Sequence, residues 1–208
     1  EAMFENYIYD FLVILPGIIT AISFHEFAHA AVANAMGDPT ARNSGRMSIN
    51  PMRHIDPIGF LMLMIARFGW AKPVPVNENN FRNRKLGNFL VSIAGISMNI
   101  LIAIVTFIFL HYTEDIFTSE AYYNVMYSVV GINISFAAFN LLPVPPLDGS
   151  KLLLSVIPAK YRYAVYKYEN YGTLVLILLI ITGTLGVVLN PIVNIIITFI
   201  NSVINIIL

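Results

Sequence analysis

Residues 11–36 read FLVILPGIITAISFHEFAHAAVANAM, an almost unbroken apolar run in which only His25, Glu26 and His29 can ionise. The run is 26 residues long, and about 20 suffice to cross the hydrocarbon core of a bilayer as a helix. An ionisable side chain at mid-bilayer costs at least ~2.5–3.5 kcal/mol. A chain with this stretch must therefore form a membrane helix and also supply a counterpart for three buried polar groups.

The trio has a pattern. His25-Glu26-Phe27-Ala28-His29 is H-E-x-x-H. Two residues four apart on a helix share a face, about 5–6 Å apart at Cβ. Both imidazoles can then reach one Zn²⁺ at roughly 2.0–2.1 Å. Glu26, beside the first ligand, can reach a water at the metal without ligating it, the general-base position of this motif. The bland readings are a chance match or satisfied core histidines. Two His and a Glu in one apolar span are hard to satisfy without a metal.

The rest of the chain repeats the theme. Of 208 residues 57% are hydrophobic and 12% charged, with mean hydropathy +0.72, where soluble domains run at about 25% charged. The expected fold class is an all-α polytopic membrane protein. About five to six membrane helices would surround a three-helix core, in a single domain over residues 1–208 with its core at about 7–155 and accessory helices at 171–208. Net charge is zero and no basic tract suggests nucleic acid. The absence of cysteine leaves His, Asp and Glu as the zinc ligands to choose from. No basic n-region precedes the first apolar run, so its removal as a signal peptide is not expected.

Taken in order, the first helix is expected over 7–36, with Pro16-Gly17 as a kink and Gly37-Asp38-Pro39 as the stop. The apolar piece Ile58–Ala66 has nine residues, about 14 Å of helix, too short to cross. That piece is expected to be re-entrant or interfacial and is followed by an extended β-like segment at Gly69–Asn77, the two together making a short re-entrant/β segment over 58–77. Further helices are expected over 86–112 and 122–142. Two apolar runs, 171–189 and 191–208, appear split at Asn190-Pro191.

All twelve Lys and Arg fall in 38–86 and 151–170, segments separated by two spans. The positive-inside bias puts both on the cytoplasmic face, with the N-terminus outside. His29 precedes Gly37 by eight residues, about 12 Å of helix, so the metal site would lie within the bilayer, nearer the cytoplasm.

A catalytic zinc needs a third protein ligand and an open position. His111 sits at the outer end of its helix, where an interfacial His near Glu114 and Asp115 is expected. His54 lies in a loop with Arg53 and Asp56 and reads as a solvated histidine. Asp148 fits best. It follows the third helix at the cytoplasmic end, where Pro143, Pro145 and Pro146 forbid regular helix and Gly149 allows a tight turn. Its alternative role is an Asx-turn or the N-cap of the next helix.

With H-E-x-x-H in one span and N-x-x-P-x-x-P-L-D-G after another, the chain resembles the site-2 protease family of intramembrane zinc metalloproteases (peptidase family M50), over roughly residues 20–155. It is most similar to short prokaryotic members without PDZ or CBS domains. Asn50-Pro51, His54-Ile55-Asp56-Pro57-Ile58-Gly59 and Gly69-Trp70-Ala71-Lys72-Pro73-Val74-Pro75-Val76-Asn77 add to the likeness. The resemblance implies one Zn²⁺ per chain, held by His25, His29 and Asp148, with Glu26 activating water. It implies that Asn140 holds substrate or stabilises the oxyanion, and that the core is built from the three spans at 7–36, 86–112 and 122–142. The partners implied are transmembrane protein substrates and the lipid bilayer of the cell membrane, with cleavage often following an earlier cut by another protease. The family's Gly-Pro-x-x-Asn stands here as Gly95-Ile96-Ser97-Met98-Asn99, with Ile96 in place of the Pro, so that Asn99 has two readings, a substrate-side residue or a helix-packing hydrogen-bonder. Strand addition to the Gly69–Asn77 segment would place Pro73, Val74 and Pro75 against the substrate. The alternative is a non-proteolytic metal-binding membrane protein, which needs the ligands but not Glu26.

Overall fold

A computed structural model of the chain describes residues 2–66 and 69–208. Among these residues eight α-helices follow one another: α1 (Ala2–Ala35), α2 (Thr40–Asn43), α3 (Pro57–Ala66), α4 (Arg84–Thr113), α5 (Glu120–Leu141), α6 (Asp148–Val156), α7 (Ala159–Ile181) and α8 (Leu185–Ile207). Among the described residues α1 from Tyr7, α4, α5 and α8 are long and apolar enough to cross a membrane, and Tyr171–Ile181 adds a shorter apolar stretch. The protein is an all-α polytopic membrane protein. No strand forms among the described residues. One isolated antiparallel bridge, Ile55 to Ala71, is the β-like feature of the 58–77 region.

The frame is the mutual packing of α1, α4 and α5. Small residues permit it. A Cβ at Gly17 would lie 2.8 Å from Ile132 Cδ1 and 3.0 Å from the Ser128 carbonyl, so α5 approaches α1 where only glycine fits. Ala103, Ala137 and Ala138 are fully buried with Ile96 and Ile134, and α8 closes this core with Ile196, Ile200 and Ile204. The opposite faces carry Leu12, Leu101, Val105, Phe109, Ile195 and Phe199, each more than half exposed, as a lipid-facing surface requires. Pro16 stays inside a continuous α1.

Three expected boundaries take a particular form. α1 stops at Ala35, and Gly37, at φ +111°, turns the chain. A Cβ there would sit 2.9 Å from the Asn80 carbonyl, so the residue must be small as well as left-handed. α3 has ten residues, about 15 Å, and Asp56 caps it by accepting from the Ile58 and Gly59 amides at 3.0 and 2.8 Å. The expected split at Asn190-Pro191 is not there. The break falls at Thr182–Thr184, with Gly183 at φ +69°, and Pro191 lies inside α8.

Candidate metal centre

His25 and His29 leave the same face of α1, and the geometry of the third element brings Asp148 to them. α5 ends at Leu141, the prolines carry the chain round without helix, and α6 begins at Asp148. The turn is tight because Gly149 lies against the Leu141 and Leu142 carbonyls, where no side chain would fit. Asp148 Oδ2 is 3.0 Å from His25 Nε2 and 3.0 Å from His29 Nε2, and the two Nε2 atoms are 2.9 Å apart. All three side chains are buried. Asp148 is therefore both the first residue of a helix and a member of this cluster.

The outer contacts of the imidazoles say what the cluster needs. Asn99 donates from Nδ2 to the Ala21 carbonyl at 3.0 Å and to Asn133 Oδ1 at 2.9 Å, which leaves its Oδ1 facing His25 Nδ1 at 2.7 Å. His29 Nδ1 faces the Val91 carbonyl at 2.7 Å. Both acceptors are oxygens, so both Nδ1 atoms carry the proton. In the neutral rings both Nε2 atoms then present lone pairs, and they point at each other and at a carboxylate oxygen. Three acceptors this close are stable only around a cation. The donor set fits a divalent metal with N/O preference.

Glu26 is turned differently. Its Oε2 accepts from the Val74 amide at 2.8 Å, which fixes one oxygen and leaves the other to the cavity. That amide belongs to a strap, residues 72–77, anchored at both ends. The Lys72 backbone amide donates to the His54 carbonyl at 2.8 Å, and Arg46 Nη2 donates to the Lys72 carbonyl at 2.6 Å. At the far end Asp38, fully buried, accepts from Asn77 N at 2.7 Å, from Asn80 Nδ2 at 2.8 Å and from the Thr40 hydroxyl.

A cavity of about 200 Å³ joins these parts, lined by His25, Glu26, His29, Pro73, Val74, Asn140, Asp148 and Lys151 among others. A larger, apolar cavity of about 720 Å³ shares Glu26, Pro73, Asn140 and Lys151 with it. A third, of about 440 Å³, shares Trp70, Phe136, Phe139 and Ile180 with the second. The second cavity thus shares walls with both of the others.

The other sequence-derived residues fall as follows. Asn140 lines the cavity and donates from Nδ2 to its own helix at Phe136 O, 3.0 Å. Pro73 and Val74 line it, whereas Pro75 is in none of the linings of these three cavities. Asn99, expected on the substrate side, lies fully buried beneath His25 with its amide engaged by three partners. His54, expected in solvent, is fully buried with Nε2 2.6 Å from the Ser48 carbonyl. It ties the loop to the strap. His111 is exposed, 3.8 Å from Glu114 at the far end of α4. Asn133 and Asp38 were not singled out by sequence. An Asn seven residues before Asn140, hence on its face of the helix, was the available signal for the first.

The buried cluster of His25, His29 and Asp148, with Glu26 beside it and apolar helices around it, has the makings of a class: a metallopeptidase set among membrane helices. The sequence profile of peptidase family M50 matches residues 112–183. The chain is 34% identical over 200 residues to YwhC of Bacillus subtilis (strain 168), named as a candidate zinc metalloprotease, with 91% of each chain covered. It is 26% identical over 195 residues to Rip2 of Mycolicibacterium smegmatis, named likewise, covering 87% of this chain and 71% of that one. A 72-residue stretch is 32% identical to spr0242 of Streptococcus pneumoniae, which bears the same description, and spans 17% of it. No solved structure matches. The chain belongs to peptidase family M50.

Proposed function

We propose that the protein is an intramembrane zinc metalloprotease that hydrolyses peptide bonds of membrane-spanning proteins in or near the bilayer of the cell membrane. The observation that carries this is the closed set of three acceptor atoms on His25, His29 and Asp148, with a carboxylate, Glu26, anchored at its edge. His25, His29 and Asp148 would hold one zinc ion per chain. When bound, the ion supplies a Lewis acid for the scissile carbonyl and makes water acidic enough to attack near neutral pH.

The chain's own groups do the rest. Glu26, held at Oε2 by Val74, takes the proton of the attacking water on its other oxygen and passes it to the leaving amine. Asn140, with one amide hydrogen held by Phe136, turns the rest of its amide to the substrate carbonyl. Asn99 is a positioning residue: it fixes the His25 tautomer. A transmembrane helix hides its peptide groups, so the substrate must unwind. Its extended stretch would pair with the strap, where the Val76 amide and the Val74 carbonyl have no partner among the described residues and Val76 lines the cavity. Pro73 and Val74 would touch the substrate directly and Pro75 would keep the strap extended. Residues 1–208 would act as one unit, with its core at 7–155. The basic loops would lie in the cytoplasm, the N-terminus outside, and the metal nearer the cytoplasmic face.

Co-expression with candidate single-span proteins tests the reading. Wild type should release a fragment that Glu26→Gln does not, with equal zinc in both purified proteins. Stoichiometric zinc with no difference between the two would instead favour a non-proteolytic metal-binding protein.

A further inference from the structure

Lys151 stands one turn after Asp148 on α6 and therefore shares its face of the helix. It lines both the polar cavity at the cluster and the apolar cavity beyond it. The other ionisable groups around the polar cavity are accounted for. Asp148 is engaged by the two histidines, and Glu26 by the Val74 amide. Glu78 is paired with Arg84, at 3.0 Å from Nη2 and 3.1 Å from Nε. A divalent cation on the cluster is balanced by the carboxylates of Asp148 and Glu26. Lys151 is itself exposed, and its ammonium has no ion pair among the described residues, which makes it the unpaired cation among the groups lining the two cavities.

We propose that Lys151 reads an anionic side chain on the substrate, an Asp or Glu within about two residues of the scissile bond. The proposal rests on the proteolytic reading above. A substrate stretch lying along the strap would run beside Pro73 in cavities that Lys151 also lines. A lysine side chain can lay its apolar stem on apolar surface while its charged head stays in a polar one, and Lys151 lines a cavity of each kind. Selection acts in both directions. Cytoplasmic ends of ordinary spans are rich in Lys and Arg, and these are repelled, so a protein with an acidic residue at that depth is favoured over the background of basic ones.

The test uses the full chain in phospholipid vesicles and a series of single-span leucine/alanine peptides with an Asn-Gly break near the cytoplasmic end. Each position within two of the cut is Asp, Asn or Lys in turn. Wild type should cut at least one position in the order Asp, Asn, Lys, with about a three- to tenfold spread in kcat/KM. Lys151→Met should flatten the order and Lys151→Glu should reverse it, with zinc content and Tm unchanged. A wild type indifferent to charge at every position overturns the assignment, as does a Lys151→Met that slows all three peptides equally. If wild type cuts none of the peptides nor any co-expressed span, the proteolytic reading itself fails and this assignment with it. Cleavage without charge preference removes only the role of Lys151.

Discussion

Gly95→Ala adds one methyl group, and the structure says where it goes. The new Cβ would lie 2.5 Å from His25 Cε1 and 2.7 Å from each ring nitrogen. Ordinary contact begins near 3.4 Å, so the ring must retreat by about 0.7–0.9 Å or α4 must move away from α1. Retreat is resisted on the other sides. The Phe136 ring stands edge-on with its centroid 5.0 Å away, and Asn99 holds Nδ1 at 2.7 Å. Overpacking of this kind costs about 1–3 kcal/mol. The displacement exceeds the ~0.5 Å within which a site keeps its geometry. Loss of the Asn99 contact lowers metal affinity about 10- to 100-fold, and a shift of ~1 Å in a reacting centre costs about 10²-fold in rate. Zinc per chain, measured on purified protein equilibrated with graded chelator, reads the first effect, and fragment release reads the second. Gly131→Ala is the control, because a Cβ there meets nothing within 4 Å. If Gly95→Ala matches Gly131→Ala in chelator resistance and in cleavage, the packing of His25 against α4 does not set the site, and the reasoning is wrong.

Other outcomes follow from the same geometry. Asn99→Leu should leave His25 Nδ1 and Asn133 Oδ1 without partners and lower zinc affinity about 10- to 100-fold, read by the same chelator titration; unchanged affinity would remove Asn99 from the site. Val74→Pro deletes the amide that holds Glu26 and keeps the strap extended between two prolines, so kcat should fall about tenfold or more with zinc retained, whereas Val74→Ala should not lose kcat to that extent. Asp38 is a pH probe outside the membrane helices. Burial alone would raise its carboxyl, but hydrogen bonds from Thr40, Asn80 and the Asn77 amide outweigh it and hold it below the usual carboxylate range. Its stabilisation is therefore present above the ordinary carboxylate pKa of about 4 and is lost as pH falls through the depressed value. Asp38→Asn should lower Tm at pH 7, and the gap from wild type should close on acidification below about pH 4. A gap as large at pH 3 as at pH 7 would contradict the assigned cause.

Much of this was legible in the sequence because lipid narrows the choices. An apolar span carrying His25, Glu26 and His29 has few ways to be stable, and the prolines after Leu142 forced an opening beside Asp148. What escaped was long-range pairing. Asn99 and Asn133 lie 34 positions apart, and nothing in either helix's own pattern says they meet. The fate of His54 depended on a strap arriving from residues 69–77, which no periodicity foretells. Asn190-Pro191 looked like a break because proline rarely continues a helix, yet the positive φ at Gly183 had already placed the turn earlier. Ile96, where the resemblance leads one to expect proline, keeps α4 unbroken and fills the core with 1% exposure.

The amide relay from Asn133 through Asn99 to His25 crosses three spans before it touches the cation site. Seating the ion and holding the bundle shut are consequently two descriptions of a single equilibrium. Whatever pries α4 from α1, whether bilayer thinning or an inserting guest helix, also loosens the grip on the ion. Stripping the ion should in turn let those spans drift apart.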